Sequence, residues 1–184
     1  MLTTEKKKMN EALDWFIHIA VAVVVGVLIV LFVGQRTIVF DVSMQPTLVE
    51  KDNLLVEKIG MRFDWLKRGD IIVFKPPQED RQLVKRLVAL EGDTVEIKDE
   101  KLYVNGKVFL TGLSKEPVTL PGSVPEYSKL TIPKGYAYAL GDNRTQSFDC
   151  RELGPIKKSW ITGRAVFRFY PFSKFGKIGR TLVQ

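Results

Sequence analysis

The sequence predicts a mainly β protein carried on one N-terminal transmembrane helix. Three features lead there: one long apolar run near the start, a succession of short β-branched runs beyond it, and turn residues between those runs. A chain of 184 residues has room for one domain plus an anchor. It divides into a cytoplasmic segment (1–14), a transmembrane anchor (15–33) and an extracytoplasmic domain (34–184), in which the strands form an antiparallel sheet.

The apolar run is "FIHIAVAVVVGVLIVLFV", Phe16 to Val33, with no formal charge apart from the proton that His18 can take. Its eighteen residues make a helix of about 27 Å at 1.5 Å per residue, close to the thickness of a bilayer's hydrocarbon core. A cleavable leader and a buried soluble helix are the other readings of such a run. It is too long for the apolar core of a leader, and "LFVGQRTIV" offers bulky residues where a processing site needs small ones. Flanking cations orient the span. Lys6, Lys7 and Lys8 precede it, and Arg36 alone follows in the next fifteen positions, which keeps the N-terminus in the cytoplasm. Trp15 sits at the entry edge, where an indole is comfortable.

The net charge of +7 falls wholly on residues 34–184, which hold 25 Lys plus Arg against 18 Asp plus Glu. A basic domain beside anionic headgroups gains attraction to membrane lipid. Nucleic acid is not an expected partner, because the cations are scattered and no nucleic-acid module appears. One cysteine, Cys150, excludes an intramolecular disulfide and a multi-cysteine zinc site. It reads as a small buried residue.

Strand-like runs follow in order: "TIVF", "NLLVEKI", "DIIVF", "LVKRLVAL", "TVEI", "KLYVNGKVFL", "KLTI", "YAYAL" and "GRAVFRFY". Asn105-Gly106 is the strongest hairpin signal, and "KDEK" (Lys98 to Lys101) makes a second turn. Proline and glycine between Thr111 and Pro133 predict a long exposed excursion. "GMRFDWLKRGD" predicts a loop where Met61, Phe63, Trp65 and Leu66 gather, either to dip into a bilayer or to pack in the core.

Chemistry enters with "DVSMQPTL", Asp41 to Leu48. A serine hydroxyl is a poor nucleophile without a base in hydrogen-bond reach, and the single histidine lies inside the apolar run. A neutral lysine is the next candidate, since serine and lysine form an established variant of the catalytic triad. Most lysines here stand in polar or turn-like contexts. In "QLVKRLVAL", strand alternation instead places Leu83, Lys85 and Leu87 on one face and Val84, Arg86 and Val88 on the other. An amine between two leucines on a buried face is stripped of water, which lowers its pKa at about 1.36 kcal/mol per unit. Two plainer readings stay open on these residues alone: Lys85 snorkels to the surface, and Ser43 or Thr47 closes a local turn.

"SMQPTL" (Ser43 to Leu48), "RGDIIVF" (Arg68 to Phe74), "KRLVALEGD" (Lys85 to Asp93) and "GDNRTQSFDCRELGPI" (Gly141 to Ile156) resemble, in order, the conserved blocks of bacterial type I signal peptidases. The length and single anchor resemble the short form of Gram-positive organisms. The resemblance implies a signal-peptidase type of β fold and a serine endopeptidase that cleaves signal peptides from exported preproteins at the outer face of the membrane. It implies Ser43 as nucleophile, Lys85 as general base, and Ser147 as the serine that holds the lysine amine. Asp142 with Arg86 and Asp149 with Arg151 match paired positions that fix loops around the site. Met44, Leu48, Leu83 and Val84 match the lining of shallow pockets for small substrate residues, and core packing accounts for them equally well. No metal or cofactor is expected. Two departures stand out. Position 150 is serine in some relatives. Position 41 carries a hydroxyl or glycine in relatives, whereas an ionised Asp41 accepts hydrogen bonds, cannot donate, and opposes a developing oxyanion. It either points away, is protonated, or leaves the work to the Ser43 N–H. The rival readings are a catalytically silent membrane-tethered scaffold or chaperone, and a serine–lysine autoprotease, which is usually soluble.

Overall fold

The computed structural model describes residues 13–27, 34–62, 65–111, 117–119, 129–179 and 182–183. Residues 13–27 form a helix, α1, exposed along its whole length. His18 Nδ1 lies 2.6 Å from the Asp14 carbonyl oxygen within it. Among the described residues no helix is long and apolar enough to cross a membrane. The rest of the expected anchor, residues 28–33, and most of the N-terminal segment lie outside the described residues.

Beyond α1 the described residues are mainly β, and every strand pairing among them is antiparallel. The main sheet runs β1 (Gly34–Ile38), β2 (Asn53–Glu57), β12 (Ile161–Tyr170), β3 (Ile71–Phe74), β4 (Leu83–Leu90), β10 (Tyr136–Leu140) and β11 (Ile156–Lys157), with β13 (Gly176–Lys177) paired to β12. A smaller sheet has the order β7 (Lys107–Val108), β6 (Lys101–Val104), β5 (Thr94–Lys98) and β9 (Lys129–Thr131). A two-stranded ribbon joins β14 (Leu182–Val183) to β8 (Leu110–Thr111). Both expected hairpin turns form. Asn105 and Gly106 have φ of 51° and 77°, and Asp99 and Glu100 have 50° and 56°, the positive values that two-residue hairpins need.

β3 and β4 lie in the middle of the main sheet, and all but the last of their residues are buried. That explains near-continuous apolar runs where half-buried strands would alternate. Leu83 and Leu87 join one apolar cluster with Ile72 and Phe74, while Val84 joins a second with Ile71 and Val73. Lys85 and Arg86 therefore project from a strand covered on both sides. β10 closes the other edge of β4, pairing Leu140 with Arg86 and Ala139 with Leu87, with a bulge between Tyr138 and Ala139.

Several local expectations change. "GMRFDWLKRGD" is not all loop: residues Ile59–Arg62 form a short helix, α2, because the Glu57 carboxylate accepts from the Gly60 N–H at its start. Leu66 is buried in the first cluster, so it belongs to the core, while Trp65 is 54% exposed. Phe63 and the Met61 side chain lie outside the described residues. Of the excursion between Thr111 and Pro133, residues 112–116 and 120–128 also lie outside them. Val118 is not exposed: it is buried in the first cluster, and its N–H donates to the Glu100 carbonyl.

Candidate active site

The site is built on three segments: the loop after β1, the centre of β4, and the loop from β10 to the helix α3 (Cys150–Leu153). Ser43 stands in the first, 3% exposed, and Lys85 in the second, 1% exposed. The Lys85 Nζ lies 2.5 Å from the Ser43 Oγ, across forty-two positions of sequence. Burial drives the Lys85 amine below its ordinary value, and the nearby Asp41 and Asp149 charges oppose that without reversing it.

Arg86, the next residue, is satisfied in a way that Lys85 is not. Its Nε and Nη2 donate to the two carboxylate oxygens of Asp142 at 2.8 and 2.7 Å, and its Nη1 donates to the Gly69 carbonyl at 2.8 Å. The Thr47 hydroxyl donates to Asp142 Oδ2 at 2.5 Å and accepts from Arg86 Nη2 at 3.3 Å. One fork of hydrogen bonds thus ties the serine loop, β4 and the loop after β10 together. Arg168 adds a second tie to the serine loop, donating to Asp52 Oδ2 at 2.6 Å and to the Thr47 carbonyl at 3.4 Å.

On the far side, Asp149 caps α3. Its Oδ1 accepts from the Arg151 N–H, its two oxygens take a bidentate pair from the Arg151 guanidinium at 2.9 Å each, and its Oδ2 accepts from the Gly141 N–H at 3.0 Å. Arg151 continues to the carbonyls of Thr119 and Ser147 at 3.1 and 3.2 Å. Gly141 is required where this loop crosses the serine loop. A Cβ there would come within 2.6 Å of the Ser43 carbonyl oxygen and 2.1 Å of the Ser147 Oγ. The Asn143 N–H donates to that same Ser43 carbonyl at 3.0 Å.

Ser147 is beside the site, but its Oγ is buried without a hydrogen-bond partner among the described residues, Lys85 included. Met44, Leu48 and Val84 are buried in the second apolar cluster and Leu83 in the first, so packing accounts for their present positions. Cys150 is buried, its Sγ accepts from the Ala139 N–H at 3.2 Å, and burial pushes the thiol up to about 12. Such a thiol is inert.

Asp41 does not point away. Its Oδ1 accepts from both the Ser43 N–H, at 3.0 Å, and the Ser43 hydroxyl, at 2.6 Å. Partial burial works to raise this carboxyl, but the Ser43 hydrogen bonds and the Lys85 charge outweigh it, and it stays below its ordinary value. It is an ionised group in contact with the serine. Sequence reasoning also missed Thr47 as a partner of the buried pair, the Gly69 carbonyl as an acceptor for Arg86, and Gly141 as a close approach. "SMQPTL" and "GDN" contain two of these, without any local sign of which distant groups they meet.

A hydroxyl and an amine held together out of water, beside two buried bidentate ion pairs, form an arrangement that can support lysine-assisted serine chemistry. The sequence pattern described as "Signal peptidase, peptidase S26" matches residues 12–170. The chain is 36% identical to a signal peptidase I of Bacillus licheniformis, over 96% of this chain and 99% of the relative. It is also 36% identical to a signal peptidase IB of Staphylococcus aureus (strain Mu50), over 90% and 93%. A crystal structure of a signal peptidase I from Enterococcus faecalis V583 overlaps 54% of this chain and 95% of its own, with 34% identity and a TM-score of 0.45. On the family pattern and the sequence relatives, the chain belongs to the signal peptidase S26 family and is a serine peptidase.

Proposed function

We propose that this protein is a type I signal peptidase that removes N-terminal signal peptides from exported preproteins. Its Ser43 is the nucleophile and its Lys85 the general base. The observation that carries this reading is the 2.5 Å contact between a buried hydroxyl and a buried amine in a chain of this family. The Lys85 amine must be neutral to act, and burial favours that state.

The steps follow from that pair. Lys85 Nζ takes the proton of the Ser43 hydroxyl while Oγ bonds to the scissile carbonyl carbon, whose π electrons move to its oxygen. That oxyanion collapses, the peptide C–N bond breaks, and the leaving amine takes the proton from Lys85. Water then attacks the acyl-enzyme, giving its proton to Lys85, and the ester bond to Oγ breaks as the proton returns to the serine. Residues of this chain supply every proton transfer in the sequence, and the reading calls for no metal or cofactor.

The supporting residues hold the pieces in place. Asp142 and Arg86 bind the serine loop to β4, and Asp149 and Arg151 fix the loop that carries Gly141 and Ser147. Ser147, whose hydroxyl has no hydrogen-bond partner among the described residues, is the one we assign to hold the lysine amine during the reaction. On this reading Leu83 from the first cluster, and Val84 with Met44 and Leu48 from the second, line the shallow pockets that take small substrate residues.

Residues 15–33 serve as a single anchor, with the N-terminus in the cytoplasm and residues 34–184 outside. The exposure of Trp15, Phe16, Ile17 and Ile19 along α1 supports this, since an isolated helix apolar on every side needs lipid or another helix to cover it. The test is incubation of the detergent-solubilised protein with a preprotein, wild type beside Ser43→Ala. Cleavage by the first alone is expected, and cleavage by both would overturn the assignment.

A further inference from the structure

Ser43 has two partners competing for one proton. Its Oγ lies 2.5 Å from the Lys85 Nζ and 2.6 Å from the Asp41 Oδ1. A hydroxyl carries a single hydrogen, so these two contacts are satisfied together only when the Lys85 nitrogen donates to Oγ and Oγ donates to the carboxylate, which leaves the Ser43 proton pointing away from the amine that must take it. The same Asp41 oxygen accepts from the Ser43 N–H at 3.0 Å. In acyl transfer at a serine, the backbone N–H of the nucleophile commonly points at the oxygen where negative charge develops. Here an anion of the chain's own already sits on that donor. Resting on the signal-peptidase reading above, we propose that Asp41 is a positioning residue that latches Ser43 in a resting state, occupying the substrate oxygen's place until the substrate displaces it.

The chemistry of release is definite. The Asp41 side chain must swing off the Ser43 N–H and Oγ, the Ser43 hydroxyl then turns its proton toward Lys85, and the scissile carbonyl oxygen takes the vacated N–H. Among the described charged groups that bear most on Lys85 are Asp41 itself from the loop after β1, Asp149 and Arg151 from α3, and Arg81 from the turn before β4. Asp41 and Asp149 favour the protonated amine, while Arg81 and Arg151 oppose it. Against the burial that works to raise it, the Ser43 hydrogen bonds first, then Lys85 and least Arg81, keep the Asp41 carboxyl below its ordinary value.

Two substitutions separate the parts of this device in the full-length protein in detergent micelles. Asp41→Gly removes the carboxylate altogether, whereas Asp41→Asn keeps an oxygen able to accept from Ser43 but removes its charge. Each variant is assayed for kcat/KM on a preprotein across neutral to alkaline pH, with thermal unfolding as a check on the fold. Asp41→Gly is expected to raise kcat/KM at neutral pH about tenfold, a part of the roughly 100- to 1000-fold that a single oxyanion donor supplies, because substrate already displaces the latch in the wild type. Both variants should move the alkaline rise of activity to lower pH, and Asp41→Asn should gain less rate than Asp41→Gly. A folded Asp41→Gly enzyme with unchanged or lower kcat/KM, or an Asp41→Asn enzyme whose pH rise stays where wild type has it, overturns the latch. Ser43→Ala and Lys85→Arg run alongside: activity in either would sink the peptidase reading itself, whereas inactivity of both with unresponsive Asp41 variants sinks the latch alone.

Discussion

Lys85 and Arg86 are adjacent basic residues on the same central strand, 1% and 0% exposed, and the fold treats them in opposite ways. Arg86 meets a bidentate carboxylate, a backbone carbonyl and a threonine hydroxyl. Lys85 meets the hydroxyl of Ser43, with its carboxylate neighbours Asp41 and Asp149 acting on it through space. Guanidinium cannot give up its proton near neutral pH, so a buried arginine must be paired. An amine can, so burying it without a direct counter-ion turns the cost of desolvation into a usable base. The fold thus ties one neighbour into a paired cluster and leaves the other beside a hydroxyl without a direct counter-ion.

The largest expected effect breaks the catalytic side of that contrast. Ser43→Ala and Lys85→Arg should each reduce preprotein cleavage by about a thousandfold or more, since residues acting as a unit fail together. Lys85→Arg is the sharper of the two, because it keeps the charge and loses only the ability to be neutral. On the structural side, Asp142→Ala leaves Arg86 buried and unpaired, and should lower unfolding stability by about 3–5 kcal/mol in a denaturant titration.

Lys85→Met should do the reverse for stability. Replacing a desolvated amine with an apolar side chain of similar length should leave the fold as stable or raise it by about 1–2 kcal/mol, while activity disappears. The pH dependence carries the same sign. Because the folded-state value of Lys85 lies below the unfolded one, the unfolded chain binds more protons between them. Wild-type stability therefore rises with pH through that window and levels off above the ordinary lysine value of 10.5. In Lys85→Met that rise should be absent from melts recorded across alkaline pH. The smallest effect belongs to Thr47→Val, which removes one donor to Asp142 and should cost about 1–2 kcal/mol with activity only partly reduced.

Much of this arrangement was legible in the sequence. The β4 run "LVKRLVAL" announced both the strand and the amine set between leucines, and Asn105-Gly106 announced a hairpin, because both signals are local. α3 and β11 were not legible. "CREL" and "IK" are short, and what makes them regular is the Asp149 cap and the pairing with β10, both settled by tertiary context. The Arg86–Asp142 pair spans fifty-six positions, so it could be named only by resemblance to a family and not from spacing. Asp41 was flagged as a charge in the wrong place. The identity of the residue gave that warning, but its double acceptance from Ser43 depends on a loop geometry that no periodicity encodes.

Proton transfer from Ser43 depends on the charge state of one nitrogen. Selective labelling of lysine ε-carbons, with Lys85→Arg to assign the signal, would follow the Lys85 titration in the folded protein by NMR. The expected midpoint lies below the ordinary 10.5 of lysine. A Lys85 signal that titrates at or above that value would contradict this expectation.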